Sequence, residues 1–205
     1  MTNELFSNIP FSMNICVYSS SSNAISDVYV NEAIDLAQLI GQLNFCLING
    51  GSNVGTMDVI TREAGKYGAK TIGVIPEKLR DFNLASIHAH EMIVSDDMMD
   101  RKFKMRELSD AFIALAGGFG TLEEILEVIT LKQLGYHHKA VVFINTNGFY
   151  DDLFRQFEKS YAEKFAKENY RKLYFIAENA SQAMDYLLSY KPEETVNKWF
   201  EVPKR

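Results

Sequence analysis

Ala111-Phe112-Ile113-Ala114-Leu115-Ala116-Gly117-Gly118-Phe119-Gly120-Thr121-Leu122-Glu123-Glu124 passes from a short apolar run, through a glycine turn, into helical spacing. The apolar run, Ala111 to Leu115, reads as a buried strand, and a helix is expected from about Leu122 to Leu134. Gly117, Gly118 and Gly120 let the backbone come close to a ligand. A helix N-terminus directly behind them offers unpaired N–H groups and partial positive charge, which favour a phosphate. Glu123 and Glu124 are expected in the first helical turn, beside whatever that phosphate carries.

Outward from this stretch, strands and helices alternate. Met13 to Tyr18 reads as a strand followed by Ser19-Ser20-Ser21-Ser22, and Asp27 to Gln42 as a helix burying Val30, Ala33, Ile34, Ala37 and Ile40. Phe45 to Ile48 is a strand running into Asn49-Gly50-Gly51-Ser52, with a helix over about Thr56 to Tyr67. Lys70 to Ile75 is a third strand, stopped by Pro76, and Glu77 to Glu91 lacks a clear period apart from room for one short helical turn. Met92 to Val94 is a short strand, and Asp96 to Ser109 a helix with Met98, Met105 and Leu108 on its apolar side. Ala140 to Ile144, Asp151 to Glu168 (stripe Leu153, Phe154, Phe157, Tyr161, Phe165), Leu173 to Ile176 and Ser181 to Tyr190 complete the pattern.

Alternating elements joined by short loops predict an α/β, Rossmann-like, doubly wound and mostly parallel sheet with helices on both faces. One domain is expected over residues 1–205, its core about 13–190, with an extension over 191–205 carrying Trp199 and Phe200.

Composition narrows the function. The apolar fraction is 47% and the charged fraction 23%, as in ordinary water-soluble domains. A net charge of −6 offers no basic surplus for a polyphosphate backbone, so nucleic acid is not an expected partner. No apolar run approaches the roughly 20 residues of a membrane span and no signal peptide is evident, so a cytoplasmic location is expected. Cys16 and Cys46 fall in predicted strands without CxxC spacing, as buried reduced thiols would.

In such sheets ligands bind where loops leave the carboxyl ends of the strands. Three of those loops carry suitable chemistry: Ser19 to Ser22, Gly50 to Ser52, and Gly117 to Thr121. Arg101-Lys102 adds charge near the start of the fourth helix, where Arg101 shares spacing with Met98, Met105 and Leu108 and should emerge beside the buried side. Glu124 has two readings: a carboxylate facing the ligand, or the last member of a capping box Thr121-Leu122-Glu123-Glu124. Asp96, Asp97 and Asp100 fit helix-start carboxylates better than a metal site. His88, His90, His137 and His138 show no zinc pattern, and Gly117 to Gly120 is not the dinucleotide GxGxxG.

These segments resemble the LONELY GUY family of phosphoribohydrolases, whose relatives often carry the label of possible lysine decarboxylases. The family's PGGxGTxxE corresponds to Ala116 through Glu124, its MHxRKxxM to Met98 through Met105, and its GVIP to Gly73 through Pro76. Its CGSS loop corresponds to Ser19 to Ser22, and its GGGSVGLMG loop to Gly50 through Asp58. The resemblance implies a Rossmann-like fold and at least a homodimer with sites near the subunit interface. It also implies cleavage of the N-glycosidic bond of a cytokinin or purine nucleoside 5′-monophosphate such as AMP, with no metal or organic cofactor.

By the same resemblance Arg101 and Glu124 are the catalytic pair. Ser21, Ser22, Gly50, Gly51, Lys102, Gly117, Gly118, Phe119, Gly120, Thr121 and Thr130 are the expected substrate-binding residues. Three departures stand out: Ala116 replaces the motif proline, Met99 the histidine before Arg101, and Asn83 or Leu84 falls where the family has a glutamate after Pro76, for which Asp81 is a candidate substitute. They motivate a second hypothesis, a nucleotide-binding or sensor protein without turnover. A pyridoxal-phosphate lysine decarboxylase is the third, and no cofactor-bearing lysine is evident for it.

Overall fold

A computed structural model of the chain describes residues 12–192. Short runs of β-branched and aromatic residues form β1 (Asn14–Tyr18), β2 (Cys46–Asn49), β3 (Lys70–Pro76), β4 (Glu91–Ser95), β5 (Ala111–Ala114), β6 (Ala140–Ile144) and β7 (Phe175–Ala177). They form one sheet in the order β4-β3-β2-β1-β5-β6-β7, every pairing parallel. Between them run α1 (Asp27–Gln42), α2 (Gly55–Lys66), α3 (Glu77–Asp81), α4 (Met98–Leu108), α5 (Phe119–Gln133), α6 (Asp151–Ala162) and α7 (Ala180–Ser189). The expected Rossmann-like architecture is therefore the observed one, and the sheet is wholly parallel rather than mostly so.

Alternation along the strands divides the core into two layers. Ile15, Val17, Leu47, Ile113 and Val142 face α1, α2 and α7 in one cluster with Leu36, Ile40, Ile60 and Met184. Cys16, Tyr18, Ile48, Phe112 and Phe143 face the opposite way, toward Met105, Val128 and Tyr150. Both cysteines are free and buried, and burial first of all pushes the Cys16 thiol up to about 12. Among the described residues no helix is long and apolar enough to cross a membrane.

Several boundaries differ from the sequence reading for identifiable reasons. Helix α5 starts at Phe119, not near Leu122, because Gly118 rather than Thr121 caps it in an extended conformation. Glu123 and Glu124 therefore lie past the first turn, and Thr121 is inside the helix, so the capping-box alternative does not hold. Helix α6 stops at Ala162 instead of continuing to Glu168. Lys164 adopts φ +62°, and Phe165, expected on the buried stripe, is 86% exposed. Asp97 caps α4 by accepting from the Asp100 N–H, so the Asp96-Asp97-Asp100 group is a helix start. The one short turn foreseen after Pro76 is α3. Trp199 and Phe200 lie outside the described residues.

The strand order positions the site. The chain winds outward from β1 to β4, crosses back through α4 to β5 on the other flank of β1, and winds outward again. Loops after β1 and β5 thus diverge over one crevice, the place where such sheets bind ligands.

Candidate active site

A cleft of about 520 Å³ opens at this reversal point. Its walls come from Ser19 to Ser22 after β1, Gly50 and Ser52 after β2, Leu79 and Leu84 after β3, and Gly118 to Thr121 at the start of α5. The loops are tied to one another. Ser20 N–H donates to Thr56 Oγ1 at 3.1 Å, Gly55 N–H to Asn23 Oδ1 at 2.8 Å, and Met57 N–H to the Ser20 carbonyl at 3.3 Å. On the β5 side Thr121 Oγ1 donates to the Ser19 carbonyl at 3.1 Å, and Tyr150 Oη donates to the Leu115 carbonyl at 2.6 Å.

The glycine turn has a packed half and an open half. A Cβ on Gly117 would lie 2.1 Å from Thr121 Oγ1, whereas one on Gly118 or Gly120 would meet nothing within 4 Å. The open half leads into α5, whose first N–H groups have no intrahelical acceptor. With the helix dipole behind them, those N–H groups present partial positive charge along one edge of the cleft.

Beneath this edge lie two opposite charges. Arg101 from α4 and Glu124 from α5 are both about 8% exposed at the side chain, with Arg101 Nη1 donating to Glu124 Oε1 at 3.1 Å. Arg101 Nε donates to the Val74 carbonyl at 3.0 Å. Burial is the main influence on Glu124 and pushes its carboxyl up to about 7. Arg101 pulls it back, Glu123 pushes it up, Lys102 lowers it, and Glu127 raises it. A carboxyl poised near neutrality in a cleft suits acid–base and charge-stabilising chemistry.

Of the residues singled out in the sequence, the fold gathers Arg101, Glu124, Ser21, Ser22, Gly50, Gly118, Phe119, Gly120 and Thr121 around this one cleft. Phe119 stands at its mouth, 94% exposed. The other four lie elsewhere within this one chain. Gly117 is buried behind the turn. Gly51 donates to Asn49 Oδ1 at 2.9 Å and accepts from Ser86 N–H at 2.8 Å. Lys102 lines a neighbouring groove with Met99, Phe103, Arg106 and Glu127, ion-paired to Glu123 and, at 3.4 Å, to Glu127. Thr130 is exposed farther along α5, its hydroxyl bonded to the Leu126 carbonyl.

The structure adds residues that spacing did not reveal. Val54, Met57, Leu79, Leu84 and Met98 give the cleft an apolar wall. Leu79 and Leu84 come from a stretch without periodicity, so no pattern marked their direction. Ser19, the first residue of the serine loop singled out in the sequence, is buried and lines the cleft, and its hydroxyl has no hydrogen-bond partner among the described residues. Asp81 does not line the cleft; it pairs with Arg80 at 2.8 Å. Among the described residues, no group of three or more His, Cys, Asp or Glu is placed to hold a metal ion.

Comparison with known proteins identifies the family. Residues 57–187 match the family described as "Possible lysine decarboxylase". The chain is 37% identical over 178 residues to cytokinin riboside 5′-monophosphate phosphoribohydrolase LOG5 of Arabidopsis thaliana, covering 87% of this chain and 78% of that protein. The chain belongs to the LONELY GUY family. A second Arabidopsis thaliana member of the LONELY GUY family, LOG2, is 38% identical over 179 residues, 87% of this chain and 84% of its own. The probable phosphoribohydrolase LOGL3 of Oryza sativa subsp. japonica is 38% identical over 86% of this chain and 84% of its own.

Among solved structures, the molybdenum cofactor binding protein of Rippkaea orientalis superposes with a TM-score of 0.68 at 23% identity, covering 88% of this chain and 98% of that one. That likeness is one of fold. Against the family motifs, Ala116 is buried, Met99 is 77% exposed, and Asn83 adopts φ +58° with its carbonyl accepting from Asn53 Nδ2 at 2.9 Å.

Proposed function

We propose that the protein hydrolyses the N-glycosidic bond of a nucleoside 5′-monophosphate, releasing a free base and ribose 5-phosphate. One observation carries this reading: a buried carboxylate, Glu124, held by Arg101 directly beneath a helix N-terminus in a cleft of nucleotide size. The curated relatives bear the name of that activity on cytokinin riboside 5′-monophosphates, which supports it further.

In this reading the 5′-phosphate lies on the N–H groups of Phe119, Gly120 and Thr121, with the hydroxyls of Ser21 and Ser22 around it. The unpartnered Ser19 hydroxyl donates to the sugar. The base lies against the apolar wall of Met57, Leu79, Leu84 and Met98. Binding energy from the unreacting phosphate fixes the anomeric carbon over Glu124.

As the C1′–N bond breaks, its electron pair leaves with the base, and positive charge spreads over C1′ and the ring oxygen. Ionised Glu124 stabilises that charge and accepts a proton from the attacking water, whose oxygen bonds to C1′. The proton passes to the departing base. Arg101 favours the ionised form of Glu124 and holds it toward the sugar.

Chromatography of free base from a panel including AMP and an N6-isoprenoid AMP tests this, with Glu124→Gln as the control. Base release by wild type alone is expected. No release from any member would remove this reading, and heat stabilisation by nucleotide without release would instead mark a nucleotide-binding protein.

The neighbouring groove on α4, with Met99 77% and Phe103 53% exposed, is the face on which we place a second copy. Sedimentation as a monomer at micromolar concentration would remove that assignment. A cytoplasmic location belongs to the same reading, and cell fractionation that recovers the protein in a membrane or secreted fraction would oppose it.

A further inference from the structure

From the crowding at the foot of the cleft we infer that Gly50 is a positioning residue for the Arg101–Glu124 pair, its missing side chain being the space the arginine head occupies. A Cβ built on Gly50 would lie 1.5 Å from Arg101 Nη2 and 2.7 Å from Cζ. Its third neighbour, Met57 Sδ at 3.0 Å, is a flexible thioether that can give way. Gly50 does not need glycine for its backbone angles: it is absent from the positive-φ glycines, which include Gly51 and Gly55. The constraint is the guanidinium alone.

That guanidinium cannot move without loss. It is buried between the Val74 carbonyl, which accepts from Nε at 3.0 Å, and Glu124, which accepts from Nη1 at 3.1 Å. A Cβ on Gly73 would lie 2.8 Å from Gly51 Cα, so two further glycines keep the ends of β2 and β3 close. A methyl at position 50 therefore leaves the strands in place and displaces the arginine head, which can move only by giving up one or both acceptors. Glu124 then loses its largest charge-stabilising neighbour.

The inference rests on the catalytic reading of Arg101 and Glu124, so its test has one arm that does not. Thermal midpoints of wild type, Gly50→Ala, Arg101→Ala and the double variant form a cycle. Gly50→Ala is expected to lower the midpoint by about 3–10 °C in the wild-type background and by less than about 1 °C beside Arg101→Ala, where the vacated space accepts the methyl. Equal losses in both backgrounds would overturn the coupling.

The second arm is kinetic. Gly50→Ala is expected to lower kcat/KM by roughly 100-fold through misplacement of the pair. It should also move the acid limb of the pH–rate profile to higher pH, because Glu124 ionises less readily without Arg101. The other charged or titratable groups acting on Glu124 are Lys102 on α4, Glu123 and Glu127 on α5, and Cys16 and Tyr18 on β1. The substitution touches none of these. An unmoved acid limb would show that Gly50 acts through something other than the pair. If wild type hydrolyses no nucleotide, the proposed function fails, while the thermal cycle still decides whether Gly50 and Arg101 are coupled.

Discussion

Replacing Glu124 with Gln should flatten one segment of the protein's stability–pH curve. Burial raises the Glu124 carboxyl from the ordinary value near 4.5 to about 7, with Arg101 offsetting only part of the shift. Between those two values the folded state holds a proton that the unfolded state has released, so stability falls as pH rises through the window and levels off above it. The shift is roughly 2.5 pH units, and at ~1.4 kcal/mol per unit the fall is about 3 kcal/mol.

Glu124→Gln keeps an oxygen that can accept from Arg101 but cannot titrate. Titrating groups that are not coupled to Glu124 act on both proteins and drop out of their difference. Urea unfolding at pH 5, 6, 7 and 8 should show wild type losing roughly 2–3 kcal/mol more than the variant, the larger part of the full fall. Parallel curves would refute a raised Glu124. A difference of opposite sign would mean that Arg101 outweighs burial. The same ionisation should limit catalysis, giving an acid limb near pH 7 in the wild-type kcat/KM.

The two halves of the glycine turn should respond differently to alanine. Gly117→Ala drives a methyl into Thr121 and is expected to cost about 1–3 kcal/mol of stability in thermal unfolding. Gly120→Ala meets open space inside a helix, so stability should rise by up to ~1 kcal/mol while KM for a nucleotide rises about tenfold; unchanged KM would remove the phosphate from that edge. Leu84→Ala opens the apolar wall and should reduce the preference for an N6-isoprenoid nucleotide over AMP by about 10–100-fold in kcat/KM, and equal effects on both would place the base elsewhere. Arg101→Ala leaves Glu124 buried without its charge partner and should cost about 3–5 kcal/mol at pH 8, less at pH 6 where the carboxyl can protonate.

The sheet was legible because its central strands are short, buried apolar runs, such as Ala111 to Ala114, and β1 and β2 run directly into serine and glycine turns. The site was legible where backbone chemistry defined it, as at Gly118 and Gly120. Errors arose where a local rule competed with tertiary contacts. Thr121 carries the sequence signature of a helix cap, yet its hydroxyl turns to the Ser19 carbonyl more than 100 positions away in the chain, which no local pattern encodes. Phe165 continues the apolar spacing of α6, but the helix has already ended at Ala162. Arg101 emerges beside the buried side as its spacing suggested, but its head is buried against Val74 and Glu124 through contacts made across 27 and 23 residues, which spacing could not show. Lys102 and Thr130 do not line the cleft of their own chain, and nothing in their spacing foretold that.

A crystal structure of the Glu124→Gln protein with AMP tests the central claim most directly. The phosphate should rest on the N–H groups of Phe119, Gly120 and Thr121, with the residue 124 amide within roughly 3–4 Å of the anomeric carbon on the face away from the base. A phosphate bound elsewhere, or residue 124 facing away from the ribose, would contradict the account.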